Sequence, residues 1–321
     1  MNITVIGCGR WGSLITWYLD HIGHRVTLYG RAASPRMQAF LTTRQNDLLT
    51  LPESVALSTA LDAALESAET VIISIGSQSL RALLGQPELQ ALRSRTVVLC
   101  MKGLEMGTGA RLSQIAAELL HPSNTVAVWL GPGHVQEFYR GIPNCMVIDS
   151  ENEDAKRRLV QAFSSDLIRF YYGGDMIGNE VGAAAKNVVG IAAGFLDGFE
   201  MSSLKGALMS RGTREVARLI KAMGGSELSA YGLCHLGDYE ATVFSPYSHN
   251  RQFGESFVRG QDYHQLAEGY YTVKALMLLG QRYGVELPIC KAVHDILYEQ
   301  AVPRDVLAGL LRRGLTEEFY D

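Results

Sequence analysis

Residues 3–12, ITVIGCGRWG, decide the fold of this chain. Four β-branched residues lead into a glycine pattern of the form G-x-G-x-x-G, and apolar residues follow at helical spacing at Leu14, Ile15, Tyr18 and Leu19. Glycines allow a tight turn and a close approach of the backbone to a pyrophosphate, and the N-terminus of the following helix attracts phosphates. The pattern also fits an ordinary glycine turn, but its position between a strand and a helix favours a dinucleotide-binding turn.

The second strand pattern bears on the choice of cofactor. It covers residues 25–29 and is followed by Gly30 and Arg31. At this place an enzyme strict for NAD often carries an acidic residue for the ribose 2′-hydroxyl. The candidates in that place are Arg31, Ser34 and Arg36. A cation there tolerates a 2′-phosphate, whereas an exposed loop arginine explains the same residue equally well. We therefore expect the cofactor to be NAD or NADP.

Strand and helix patterns alternate through the first half of the chain. Further strand patterns cover residues 71–75, 96–100, 125–129, 145–148 and 167–171, with helical patterns between them, notably at residues 110–120 and 154–163. Such alternation indicates a largely parallel sheet with helices on both faces. After residue 178 the patterns are helical. We expect an α/β protein, with a Rossmann-type doubly wound sheet in residues 1–178 followed by an all-α domain in residues 179–321.

The segment at residues 179–198, NEVGAAAKNVVGIAAGFLDG, predicts a helix that is apolar on all faces and therefore buried. Lys186 and Asn187 are the polar residues in its centre, and small residues share the helix face of Lys186. Lysines in general reach the surface with their charged end. Burial instead lowers a lysine pKa towards neutrality, and such a lysine can act as a general acid or base. We expect the second role for Lys186.

Composition bounds the class of protein. At 321 residues the chain is long enough for two domains, and its formal net charge of -4 gives no reason to expect a nucleic-acid partner. Its five cysteines are scattered, without a C-x-x-C pair, so we expect neither disulfides nor a metal site. The start of the chain resembles no signal peptide, and Lys186 interrupts the most apolar helix. These features predict a cytoplasmic protein without membrane insertion.

Taken together, the motifs resemble those of the NAD(P)-dependent glycerol-3-phosphate dehydrogenases of the bacterial, cytoplasmic type. The resemblance covers nearly the whole chain and rests on segments in family order at residues 7–12, 102–105, 131–134, 180–198, 237–238, 248–254, 268–270 and 284–289. Among them, K-G-L-E at residues 102–105 is similar to the family's K-G-[IL]-E. Residues 180–198 are similar to its long helix with the K-N-V triplet. Several ordered motifs are more specific than the glycine turn alone.

The resemblance implies reversible hydride transfer between a nicotinamide and glycerol 3-phosphate or dihydroxyacetone phosphate. It assigns catalytic roles to Lys186, Lys102 and Asp238, with Asp238 pairing with Lys186; an exposed loop aspartate is the alternative. Its cofactor-binding residues are Gly7, Gly9, Arg10, Trp11, Gly12, Arg31, Lys102, Val135 and Glu268. Its substrate-binding residues are Lys102, Gly131, Gly133, Lys186, Asp238, Ser248, His249 and Asn250.

Three departures from the family pattern lie on the substrate side. His249 stands where the family usually has the arginine expected to bind the substrate phosphate, and Gly133 replaces a serine or threonine. Residues 202–203, Ser-Ser, stand near an apparent deletion where the family carries G-D-N. A histidine is cationic only below its pKa, so substrate binding should depend on pH. Alternatively, Arg251 or Arg211 supplies the permanent charge and His249 packs.

The sequence therefore predicts an oxidoreductase that supplies glycerol 3-phosphate for phospholipid synthesis. The first alternative is a related dehydrogenase of another small hydroxy or keto compound, which the three departures permit. The second is a sensor that binds the dinucleotide without turnover; a buried proton donor such as Lys186 argues against it. The expected partners are a small-molecule substrate, a phosphorylated triose, and a second copy of the chain in a homodimer.

Overall fold

The computed structural model describes residues 1–312 and 317–318. The chain divides into two compact units. The first comprises Met1–Met101 and Leu112–Met176, and the second comprises Lys102–Arg111 and the chain from Ile177 onwards. A single division after residue 178 was expected; the units differ from it mainly because the short segment Lys102–Arg111 groups with the helical residues.

The first unit is built on one eight-stranded sheet. Its strands are β1 (Asn2–Ile6), β2 (Arg25–Tyr29), β3 (Ala56–Ser58), β4 (Thr70–Ile73), β5 (Thr96–Leu99), β6 (Thr125–Leu130), β7 (Asn144–Asp149) and β8 (Ile168–Tyr172), in the spatial order 3-2-1-4-5-6-7-8. All neighbouring pairs are parallel except β6 and β7, which are antiparallel. The order reverses between β1 and β4, as in doubly wound dinucleotide-binding sheets. The predicted Rossmann-type fold is confirmed.

Helices connect these strands. They are α1 (Arg10–His21), α2 (Pro35–Thr43), α3 (Leu61–Leu65), α4 (Leu80–Leu84), α5 (Pro87–Gln90), α6 (Leu112–Leu119), α7 (Val135–Tyr139) and α8 (Glu153–Phe163). In α1 the residues at helical spacing, Leu14, Ile15, Tyr18 and Leu19, are all buried in the core of the unit. The inner strand β4 is buried along its whole length, and its sequence, TVII, consists entirely of β-branched residues, of which three are apolar.

The second unit contains the helices that follow the sheet. They are α9 (Met176–Gly198), α10 (Lys205–Ala222), α11 (His249–Val258), α12 (Glu268–Tyr283), α13 (Pro288–Tyr298) and α14 (Pro303–Leu311). Every residue of α9 from Glu180 to Leu196 is buried, as its sequence predicts. Its small residues let α11 approach: a Cβ on Gly194 would overlap the carbonyl oxygen of Arg251. Within the described residues, no helix is both long and apolar enough to cross a bilayer.

Hydrogen bonds explain why the segment Lys102–Arg111 belongs to the second unit. The Arg111 guanidinium lies 2.6 Å from the Glu180 carboxylate on α9, and the Asn187 amide donates to the Lys102 carbonyl oxygen at 2.7 Å. Between Lys102 and Arg111, the Thr108 carbonyl oxygen accepts a hydrogen bond from the Arg282 guanidinium of α12 at 2.9 Å. The segment is therefore anchored to two helices that lie far away in the sequence.

Candidate active site

The glycine turn between β1 and α1 has the backbone that pyrophosphate binding requires. Gly7 has a φ of +118°, and a Cβ there would overlap the Ser74 carbonyl oxygen. A Cβ on Gly12 would overlap the carbonyl oxygen of Gly7, so α1 packs directly on the turn. Gly9 precedes the first helical residue, Arg10, and no side chain caps the helix. This turn and the helix N-terminus that follows it suit the pyrophosphate of a dinucleotide, so the residues present fit such a cofactor.

The loop after β2 presents positive rather than negative side chains. Arg31 and Arg36 are both exposed, and a guanidinium nitrogen of Arg36 lies 3.7 Å from the position of a Cβ built on Gly9. The third candidate, Ser34, caps α2 by accepting a hydrogen bond from the Met37 N–H at 3.4 Å. Arg31 in the loop after β2 and Arg36 in the first turn of α2 are compatible with a 2′-phosphate as well as with a free ribose.

The loop after β6 carries Gly131 and Gly133, with φ values of +129° and +138°. A Cβ on Gly133 would overlap the ring of Phe138, which also packs against Trp11 with ring centroids 6.0 Å apart. The replacement of the family's serine or threonine by glycine therefore has a steric reason here. Val135, the first residue of α7, is buried below this loop.

Two lysines share one carboxylate oxygen in the second unit. Asp238, on the 3₁₀ turn Leu236–Asp238, places its Oδ2 2.9 Å from the Lys186 Nζ and 2.7 Å from the Lys102 Nζ. Lys186 also donates to the Thr242 hydroxyl at 2.6 Å, and that hydroxyl donates to the Asp238 carbonyl oxygen at 2.7 Å. Asp238 is completely buried and lies against Lys186, so it is not the exposed loop aspartate that was the alternative.

Burial controls the charge state of Lys186. Desolvation lowers its pKa from 10.5 to about 8; the charge of Asp238 acts in the opposite direction, and the charge of Lys102 lowers the pKa further. Lys102 is the more accessible of the two lysines, with 20% of its side chain exposed against 7% for Lys186. A lysine that titrates near pH 8 can give and take a proton under neutral conditions.

Side-chain amides connect the lysine cluster to α11 and α12. The Asn250 amide donates to the Asn187 side-chain oxygen at 3.0 Å, and the Gly269 N–H donates to the Asn250 side-chain oxygen at 2.9 Å. Ser248 caps α11 by accepting from the Arg251 N–H at 3.3 Å. Ser248 and Asn250, both expected at the substrate, thus also have partners within the unit.

His249 lies at the start of α11, where its Nδ1 is 2.6 Å from the Tyr263 hydroxyl. Tyr263 in turn donates to the Gln252 side-chain oxygen at 3.2 Å. Arg211, one alternative source of a permanent charge, donates to the Glu318 carbonyl oxygen at 2.7 Å. Glu268, expected near the cofactor, is the partly buried first residue of α12.

A second carboxylate, Asp197 at the end of α9, binds the Arg251 guanidinium and the first serine of the Ser-Ser departure, Ser202. Its Oδ2 accepts from the Arg251 guanidinium at 2.8 Å and from the Lys205 ammonium at 2.7 Å, and its Oδ1 accepts from the Ser202 hydroxyl at 2.8 Å. Burial acts to raise the Asp197 pKa, but these donors hold it below its usual value. The Arg251 guanidinium therefore pairs with carboxylates of its own unit, since it also lies 3.1 Å from Glu255.

The expected residues fall into two groups. The first unit holds Gly7, Gly9, Arg10, Trp11, Gly12, Arg31, Gly131, Gly133 and Val135, and the second holds Lys102, Lys186, Asp238, Ser248, His249, Asn250 and Glu268. The sequence patterns did not indicate Thr242, although it lies one helical turn after Asp238. Among the residues that the structure describes, no group of three or more His, Cys, Asp or Glu side chains is arranged to hold a metal ion.

Comparisons with known proteins agree with this arrangement. Models of the NAD-dependent glycerol-3-phosphate dehydrogenase N-terminus and C-terminus match residues 2–156 and 175–308. The glycerol-3-phosphate dehydrogenase (NAD(P)+) of Thermoanaerobacter sp. (strain X514) is 32% identical over 331 residues, covering 100% of this chain and 99% of that protein. That of Nitrosomonas europaea is 35% identical over 325 residues, covering 98% of each. The crystal structure of glycerol-3-phosphate dehydrogenase from Coxiella burnetii superimposes with a TM-score of 0.89 at 27% identity, covering 97% of this chain and 99% of that one. The chain belongs to the NAD-dependent glycerol-3-phosphate dehydrogenase family.

Proposed function

We propose that this chain catalyses the reversible reduction of dihydroxyacetone phosphate to glycerol 3-phosphate with NADH or NADPH, and so supplies glycerol 3-phosphate for phospholipid synthesis. The observation that carries the proposal is the buried Lys186, whose pKa of about 8 and contacts with Asp238 and Thr242 suit a proton donor. The relatives named glycerol-3-phosphate dehydrogenase support the same reaction.

In this reaction the bound nicotinamide supplies or accepts the hydride at its C4 atom. The N-terminus of α1 binds the pyrophosphate, with Gly7, Gly9 and Gly12 keeping side chains away. Lys186 gives its proton to the substrate C2 oxygen as negative charge develops there, and it takes the proton back in the oxidation. Lys102 adds a second positive charge beside the reacting oxygen. Asp238 holds both ammonium groups in place through one oxygen.

We assign the phosphate end of the substrate to Ser248, His249 and Asn250 of the second unit. His249 also favours a second candidate function, the reduction of another small keto compound. An arginine keeps its charge at every working pH and offers two parallel donors to a phosphate. A histidine is charged only below its pKa, and since the Nδ1 of His249 already contacts the Tyr263 hydroxyl, His249 offers at most one ring nitrogen to a phosphate. A substrate without a phosphate does not need that permanent charge.

Location and assembly are further proposals. We infer a cytoplasmic protein, because its five cysteines are all free and such thiols suit a reducing compartment. We also infer a homodimer, since large apolar side chains such as Leu228, Tyr172 and Leu266 are exposed at 73%, 51% and 53%. Light scattering coupled to gel filtration measures the mass directly, and a mass near 35.2 kDa contradicts the dimer. The net charge of -4 speaks against a nucleic-acid partner.

Oxidation of NADH and NADPH tests the activity. We expect turnover with dihydroxyacetone phosphate that exceeds turnover with dihydroxyacetone and with a series of 2-keto acids. Turnover that prefers one of the unphosphorylated compounds establishes the second candidate. Tight cofactor binding without turnover of any of them identifies a sensor and contradicts the proposal.

Two lysine variants test the proton donor. Lys186→Ala should lower kcat by roughly two to four decades, the usual loss for a general acid, with little change in cofactor affinity. Lys205→Ala is the matched control, because Lys205 is a buried lysine that pairs with Asp197 at 2.7 Å in the same unit. It should lower stability and leave kcat near that of the unmodified protein. A Lys186→Ala variant that keeps more than about a tenth of the original kcat contradicts the assignment.

A further inference from the structure

The imidazole of His235 is completely buried and has no role in the reaction proposed above. It lies against α9, and its Nδ1 is 2.8 Å from the carbonyl oxygen of Gly182. Its Nε2 is 2.7 Å from the hydroxyl of Tyr239, which is equally buried. A Cβ on Gly182 would come within 3.0 Å of the His235 Cβ, so the glycine leaves the space in which the ring sits.

The partners of His235 determine its tautomer. The Gly182 carbonyl oxygen only accepts, so the His235 Nδ1 carries the hydrogen, and the Nε2 therefore accepts from the Tyr239 hydroxyl. Burial, followed by the nearby Lys186 charge, lowers the pKa of His235 to about 4, although the Gly182 carbonyl acts in the opposite direction. Burial also raises the pKa of Tyr239. Both side chains are thus neutral at working pH, and neither takes up or releases a proton.

His235 and Tyr239 lie on either side of Asp238 in the chain, three residues before it and one residue after it. The Asp238 N–H donates to the His235 carbonyl oxygen at 3.0 Å, which closes the 3₁₀ turn, and Tyr239 is the residue that follows Asp238. On the other side, Gly182 precedes Lys186 by four residues in α9. In an α-helix its carbonyl also accepts from the Lys186 N–H. One carbonyl oxygen therefore connects the turn of Asp238 with the helical turn of Lys186.

We propose that His235, together with Tyr239, is a positioning residue that holds the Asp238 carboxylate against the Lys186 ammonium. The proposal goes beyond the proposed function, and only its kinetic test rests on that function. Without this connection the turn keeps the Thr242 bond to the Asp238 carbonyl oxygen and the two ammonium contacts of the carboxylate, but it loses its hydrogen-bonded link to α9. The neutral pair fixes the turn without adding a charge that would compete with Asp238.

The predicted consequence is a change in the titration of Lys186. The groups that face its ammonium are Asp238, Lys102, Cys234 and the neutral His235. Of these, Asp238 raises the Lys186 pKa most strongly, and burial and Lys102 lower it. If Asp238 moves away while the site stays dry, the opposing effects prevail and the Lys186 pKa falls.

His235→Phe fills the space and removes both hydrogen bonds, and Tyr239→Phe removes one. Titration of lysine side chains labelled with ¹³C in the full chain, with the Lys186 signal assigned by its loss in Lys186→Arg, should show a fall of about half a pH unit or more in His235→Phe. Tyr239→Phe should show a smaller fall in the same direction. His235→Gln keeps a donor for Gly182 and an acceptor for Tyr239 and should restore the original midpoint.

Kinetics give a second readout. In His235→Phe, a Lys186 midpoint lowered by half a pH unit from about 8 reduces the protonated fraction at pH 7.5 by about 1.5-fold. We therefore expect kcat for ketone reduction at pH 7.5 to fall by at least that factor and its decline with pH to begin lower, while KM for NADH is unchanged. A merely structural role lowers the melting temperature and leaves the midpoint in place. Midpoints within about 0.2 pH units of the original in the folded variants overturn the proposal, and so does a His235→Gln midpoint equal to that of His235→Phe. If His235→Phe does not fold, the Lys186 midpoint in Tyr239→Phe decides between the two outcomes. The NMR titration does not depend on the identity of the substrate.

Discussion

Replacing Asp238 by asparagine removes the negative charge that Lys186 and Lys102 share and keeps the size of the side chain. The Lys186 Nζ lies 2.9 Å from the carboxylate oxygen. Two unit charges about 4 Å apart interact by roughly 4 kcal/mol at an effective dielectric constant near 20. Because Lys102 shares the carboxylate, we count about half of this, roughly 2 kcal/mol, or about 1.5 pKa units. The Lys186 pKa should fall from about 8 to about 6.5.

Ketone reduction needs the protonated lysine, so activity declines as pH rises through this pKa. In Asp238→Asn the decline of kcat/KM should begin about 1.5 pH units lower, and about tenfold less enzyme is protonated at pH 7.5. The assay is NADH oxidation with dihydroxyacetone phosphate from about pH 5.5 to about pH 9.5. Asp197→Asn is the matched control, because Asp197 also binds two cations but does not touch Lys186. A decline that stays near pH 8 in Asp238→Asn refutes the reasoning.

Three further results are expected. NADPH should be used with a kcat/KM within about tenfold of that for NADH, and Arg31→Ala should raise KM for NADPH more than for NADH; rejection of NADPH makes Arg31 a surface residue. His249→Arg should lower KM for dihydroxyacetone phosphate at pH 8, measured beside pH 6, and a KM that is flat between the two pH values in the unmodified protein shows that His249 does not bind the phosphate. Gly133→Ala should lower the free energy of unfolding in urea by about 2–4 kcal/mol, because its methyl group overlaps Phe138; Gly141→Ala, also at positive φ but with open space around it, should lose less than half as much.

The sheet could be predicted because its strands are short apolar runs between helices. Periodicity located every strand of the first unit except β3, whose three residues are too few to show a pattern. The antiparallel pairing of β6 and β7 was also not indicated. Strand direction depends on the path of the connection, and a short α7 looks the same in sequence whichever way the chain returns.

Lys186 could be identified because a charge in the centre of an apolar helix is rare. Its surroundings could not be identified without the family resemblance or the structure. Thr242 lies 56 residues after Lys186 in a short π turn, and His235 immediately precedes the 3₁₀ turn of Asp238. No periodicity in such short turns indicates which side chains point inward. The sequence also did not predict that Lys102–Arg111 belongs to the helical unit. That grouping depends on contacts with Glu180 and Asn187, which lie far away in the sequence.

That ten-residue segment limits how the enzyme can be divided. The polypeptide enters the helical unit at Lys102, leaves it after Arg111 and returns at Ile177. A fragment that starts at Ile177 lacks Lys102, and it leaves the buried Glu180 carboxylate without Arg111. The two halves are therefore not interchangeable modules. A recombination that moves the helical half onto a different nucleotide-binding half should succeed only if it also transfers the segment Lys102–Arg111.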